Sequence, residues 1–87
     1  MIQKKINVIK SEITLKIFGS FDRNARMVED KFGVRIYNRA NEDGIGDTIL
    51  IEGEPIGVDH AYNTIKYLVR VAELNDDISE QTVDYVI

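Results

Sequence analysis

The stretch that decides the reading of this chain is Ile17-Phe18-Gly19-Ser20-Phe21-Asp22-Arg23-Asn24, which continues through Ala25-Arg26-Met27-Val28-Glu29-Asp30-Lys31-Phe32 into Gly33-Val34-Arg35-Ile36. Ala25, Met27, Val28 and Phe32 share one face at helical spacing, with Asp22 a good N-cap residue and Gly33 a good C′ residue, so a helix is expected from Asp22 to Phe32. Gly19 therefore stands just ahead of a helix, Gly33 closes it, and a strand follows. A glycine lets the backbone approach a ligand closely and adopt positive φ. The helix behind it offers unpaired N–H groups and the positive end of its dipole to an anion. A loop built this way suits phosphate, and nucleic-acid backbones are chains of phosphates.

Working outward, Ile2, Ile6 and Val8 alternate with polar residues, which reads as a half-buried strand over about residues 4–9. Ser11 can cap a short helix over Glu12–Phe18, where Ile13 and Ile17 lie one turn apart, although Ile13, Leu15 and Ile17 also alternate as in a strand. On the other side, Val34, Ile36 and Tyr37 begin a strand that fades at Asn38-Arg39-Ala40. The turn formers of Asn41–Asp47 are expected to be a mobile connection between two antiparallel strands. Thr48–Glu52 is a compact β run ended by Gly53, and Glu54-Pro55 suits a first helical turn. Val58, Ala61, Ile65, Leu68 and Ala72 recur at alternate steps of three and four, which defines the longest amphipathic helix, about residues 55–74. Asn75-Asp76-Asp77 is expected to break it, and Ser79 to cap a last short helix through Val86 that carries Val83, Val86 and Ile87.

At 87 residues and 9.9 kDa the chain supports a single domain. It contains no cysteine, which excludes disulfides and thiolate metal sites. No run approaches the roughly 18 apolar residues of a membrane helix, and Met1-Ile2-Gln3-Lys4-Lys5 is not followed by an apolar signal region. A soluble, cytoplasmic protein without a membrane partner is the expectation. The net charge of −4 hides an asymmetry: residues 1–40 carry nine Lys/Arg against four Asp/Glu, a balance of +5, whereas residues 41–87 carry two against eleven, a balance of −9. The basic half contains the glycine loop, which points toward a polyanion.

The order of strand, short helix, glycine loop, helix, strand, loop, strand and long helix resembles a type I KH domain, an α/β (α+β) fold with a three-stranded sheet packed on helices. Ile17-Phe18-Gly19, Gly33-Val34-Arg35-Ile36, and Gly53 followed by Val58-x-x-Ala61-x-x-x-Ile65 resemble the landmarks of that family. The KH loop is Gly-x-x-Gly, whereas here Asp22 takes the second glycine's place. Phe18-Gly19-x-x-Asp22-x-Asn24 is instead similar to the amino-terminal domain of PhoH-like proteins, phosphate-starvation-inducible ATPases of RNA metabolism. The tail Ile78–Ile87 resembles the short helix that precedes their nucleotide-hydrolysing domain. The resemblance implies a KH-like domain over residues 1–74, and residues 75–87 as a helix leading to an ATPase domain in cis, so that the chain is either part of a longer ATP-binding protein or a stand-alone relative. No Gly-x-x-x-x-Gly-Lys-Ser/Thr occurs, so the chain has no P-loop and no cofactor is expected.

Single-stranded RNA is the ligand this resemblance implies. The loop Gly19, Ser20, Phe21 and Asp22 is its expected contact, with Arg23, Asn24 and Arg26 on the first turns of the helix and Lys16 just before the loop. Arg35, Tyr37 and Arg39 share one face of the following strand, the expected opposite wall of a KH groove, where an aromatic between two arginines suits splayed bases. Arg26 also has Glu29 and Asp30 in reach for ordinary helix-surface pairs. A second reading is that the loop has lost RNA contact and the domain serves assembly or regulation of an attached ATPase, with Val83, Val86, Ile87, Tyr62 and Val69 as the protein interface through which the chain self-associates. His60, the lone histidine, is expected to be exposed and idle, and Glu73, Asp76 and Asp77 to be a solvated helix end rather than a metal site.

Overall fold

A computed structural model describes residues 1–74 and 77–87. The elements run β1 (Ile2–Val8), α1 (Ser11–Phe18), a single 3-10 turn (Ser20–Asp22), α2 (Arg23–Phe32), β2 (Arg35–Ala40), β3 (Asp47–Gly53), α3 (Pro55–Glu73) and α4 (Glu80–Val86). The strands form one antiparallel sheet in the order β1-β3-β2, so the last strand in sequence is the central one. This is the α+β, KH-like arrangement expected from the order of elements.

Hydrophobic periodicity explains the layers. Ile6 and Val8 of β1, Ile36 of β2 and Ile49 and Ile51 of β3 point to one side, where they meet Ile17 of α1, Val28 of α2 and Val58, Ala61, Ile65 and Leu68 of α3. Each fully buried isoleucine or leucine contributes about 1.5–3 kcal/mol relative to exposure, so this seam dominates stability. The ambiguity between Ile13, Leu15 and Ile17 resolves as a helix: Ile13, Thr14, Ile17 and Phe18 are buried while Leu15 is 72% exposed. The first strand begins earlier and ends sooner than the alternation suggests, because Ile9 turns outward to solvent.

Capping is partly as expected. Gly33 takes the left-handed conformation and its N–H donates to Glu29 O at 2.8 Å. Ser79 Oγ accepts the Thr82 N–H at 3.2 Å at the start of α4. Asp22 departs from expectation: it is itself left-handed and makes no side-chain cap. Ser11 is the first helical residue of α1 rather than its cap, and Lys10 holds the N-cap position. Asn41 organises the connection between β2 and β3, expected to be mobile, as a bonded turn. Its Nδ2 donates to Ile45 O (2.9 Å) and Asn7 Oδ1 (3.1 Å), and its Oδ1 accepts from Thr48 Oγ1 at 2.6 Å. The proposed helix breaker falls at Asn75 and Asp76, which lie outside the described residues, as does the Asp76 member of the acidic group.

Helix α3 crosses close behind α2. A Cβ on Gly57 would stand 2.4 Å from the Phe32 carbonyl oxygen. His60, one turn on, is exposed as expected and stacks on the Phe32 ring with centroids 5.6 Å apart. Helix propensity alone would make Gly57→Ala stabilising by about 1 kcal/mol. The backbone clash reverses that sign, and a net loss of about 1 kcal/mol or more is expected in urea unfolding; a more stable variant would show that α2 and α3 do not approach this closely.

Candidate nucleic-acid interface

The loop after α1 is shaped by Gly19 and Asn24. Gly19 adopts φ 76°, ψ −179°, a region open essentially only to glycine, and a Cβ there would lie 2.7 Å from Asn24 Nδ2. Phe21 and Asp22 follow with φ 55° and 59°, two consecutive left-handed residues that are not glycine. Such conformations cost free energy and persist where the surroundings impose them. The result projects Phe21 into solvent at 86% exposure.

Behind the loop, Asn24 is buried and its Nδ2 donates to Ile78 O at 3.2 Å. Arg23 pairs with Glu80 at 2.6 Å, both side chains being largely exposed. The segment leading into α4 therefore lies against the loop, and a cleft lined by Gly19, Ser20, Arg23, Asn24, Ile78, Ser79 and Glu80 runs between them.

On the other side of the loop a groove of about 350 Å³ runs between α1 and β2, lined by Thr14, Leu15, Phe18, Asp22, Ile36, Tyr37 and Asn38. Thr14 Oγ1 is fully buried and, among the described residues, is the buried side-chain polar atom that has no hydrogen-bond partner. Ile36 N–H points away from β3 and donates to Glu29 Oε2 at 2.7 Å. By the alternation of an antiparallel ladder, the Ile36 carbonyl and the N–H and carbonyl of Asn38 face the same open edge.

The structure distributes the sequence-predicted residues over several surfaces. Asp22 and Tyr37 border the groove, whereas Gly19, Ser20, Arg23 and Asn24 face the C-terminal segment. Lys16 lies on the far side of α1, in a cleft with Ile9, Lys10, Glu12, Ile13, Ala72 and Glu73. Arg26 is exposed on α2 and makes no ion pair with Glu29 or Asp30, and Glu29 accepts from the backbone of β2. Arg35 and Arg39 are exposed on β2 on the opposite side from Ile36. Sequence reasoning missed Thr14, Leu15, Phe18 and Asn38 as groove residues. A threonine in the middle of a short apolar helix was the available signal.

No helix among the described residues is long and apolar enough to cross a membrane, and none of their His, Asp and Glu side chains cluster as a metal site. Neither a family model nor a curated protein matches this chain.

Asn24 joins loop and tail, so Asn24→Ala is expected to leave the Ile78 carbonyl unpaired at a cost of about 1–3 kcal/mol. Hydrogen exchange of α4 amides should accelerate more than that of α3. Equal protection in both would show that Asn24 does not anchor the tail.

Proposed function

We propose that this chain is a KH-like module for single-stranded RNA, standing ahead of an ATP-binding domain in a PhoH-like protein of RNA metabolism. The observation that carries the RNA reading is the groove between α1 and β2. Its floor of Leu15, Phe18 and Ile36 offers apolar surface to the faces of an unstacked base. The open backbone edge at Ile36 and Asn38 offers donors and acceptors at its rim, and Thr14, whose buried Oγ1 has no partner, lies beneath it. A buried hydroxyl without a partner is destabilising unless a ligand completes it.

The PhoH-like part of the reading rests on the resemblance of Phe18-Gly19-x-x-Asp22-x-Asn24 and the tail, residues that contact one another in this chain. Gly19 is needed because Asn24 occupies the space of a side chain at position 19, and Asn24 in turn holds the tail at Ile78. The alternative role in assembly is favoured by a separate observation: Arg23 and Asn24, expected at the ligand, are engaged by the C-terminal segment, and Asp22 sets a negative charge at the groove mouth.

Thr14→Val tests the groove directly. Removing the unpartnered hydroxyl should raise the unfolding free energy by about 1 kcal/mol, while fluorescence anisotropy with oligouridine at low salt should show weaker binding. Asp22→Gly should tighten binding about twofold to fivefold, the scale of one exposed charge interaction. Arg26→Ala should reduce the log–log salt slope by about 0.7. Absence of binding by the unaltered domain at low salt, or affinity indifferent to Thr14→Val and Arg26→Ala, would move the assignment to assembly.

A further inference from the structure

We propose that the outer face of the sheet, turned away from the helices, is a second contact surface for single-stranded nucleic acid, continuous with the groove through β2; the inference rests on the groove being a base-binding site. The register defines this face. Lys4 pairs across β3 with Ile51 and Ile36, and its Nζ reaches Asp59 of α3 at 2.8 Å, so these positions face the helices. Their neighbours in sequence face outward. They form three rows across the sheet: Gln3, Glu52 and Arg35; Lys5, Leu50 and Tyr37; Asn7, Thr48 and Arg39. Leu50 agrees with the assignment, being buried yet no part of the core between sheet and helices.

Lys5, Arg35 and Arg39 surround Tyr37 and Leu50, with Glu52 and the neighbouring Glu42 as the bordering carboxylates. In a chain of net charge −4 this is a concentration of cations, and among the described residues none of the three is in an ion pair. Arg35 and Arg39 are about 13 Å apart along the strand, and Lys5 lies two strands across, about 10 Å away. The Arg35 guanidinium sits over the Tyr37 ring at 5.9 Å, and a shallow depression of about 190 Å³ lies between Lys5 and Arg39 over Thr48. A half-exposed ring flanked by cations outside any ion pair is an arrangement that stacks a base, in exchange for the Arg35 guanidinium, while neutralising the phosphates on either side. Strand β2 contributes its open edge to the groove and its odd-numbered side chains to this face, so a single strand leaving the groove passes onto the sheet. The even spread of polar rows, with one sheltered leucine, offers little of the apolar area that a protein partner would need.

Four-nucleotide and twelve-nucleotide oligouridines distinguish the two surfaces. Charge removal at the face (Lys5→Gln, Arg35→Gln, Arg39→Gln together) should leave the short oligomer's affinity within about twofold, and reduce the salt slope of the long one by about 2. Tyr37→Leu should weaken the long oligomer at least fivefold more than the short one, since Tyr37 also borders the groove. Thermal unfolding verifies that both variants are folded. An unchanged slope and affinity for the long oligomer would overturn the proposal while leaving the groove reading standing. Failure of the unaltered protein to hold the short oligomer, with the long one still dependent on the face cations, would instead discard the groove and keep the face. Binding of neither oligomer removes both. A change in sedimentation on charge removal without a change in RNA affinity would assign the face to a second copy of the chain and overturn the proposal.

Discussion

The registration of β1 and β2 on β3 is the constraint on which the molecule depends. Ile49 and Ile51 of the central strand are inaccessible to solvent, and they align Ile6 and Lys4 on one side with Asn38 and Ile36 on the other. Because side chains alternate with period two, a slip of one residue would drive Arg35 and Tyr37 into the core and expel Ile36. The same alternation divides the chemistry of β2. Even positions and their backbone edge belong to the groove, whereas odd positions belong to the outer sheet face, with Tyr37 also reaching the groove's border.

A second organising element is the side chain of Asn24. It stands against Gly19, excludes any larger residue there, and holds the Ile78 carbonyl. The unusual backbone of the loop follows from what surrounds it. Gly19 leaves α1 in a glycine-only conformation, and Phe21 and Asp22 complete the turn in left-handed geometry before α2 starts at Arg23. Ahead of that helix, Asp22 places a carboxylate at the mouth of the groove.

The tail bears on the site in the same way. Arg23 is drawn to Glu80, so one of the cations closest to the loop is already partly neutralised, while Arg26 remains open to solvent. An exposed pair of this kind is worth at most about 1 kcal/mol, a competition that a phosphate can win. The basic character of the first half of the chain is therefore not concentrated at the loop. It is shared between α2, the outer sheet face and the far side of α1, where Lys16 lies.

Local pattern determined much of the architecture. The steps of three and four from Val58 to Ala72 specify α3, the run from Thr48 to Glu52 specifies the central strand, and Gly33 and Ser79 act at helix ends as their chemistry dictates. These follow from short-range periodicity and capping, which any window of sequence displays. The groove was only partly visible in that way. Thr14 shows in the sequence only as a polar residue within a short apolar helix, and its unpaired hydroxyl is a property of the closed core. Asp22 is a cap residue by type, yet it is left-handed, its N–H bonded to the Gly19 carbonyl and its side chain capping nothing. Which side of the sheet Arg35, Tyr37 and Arg39 occupy, and that Lys16 and Arg23 face away from the groove, depended on how strands distant in sequence register and how helices cross. Those relations are set by long-range packing, which the sequence encodes without displaying.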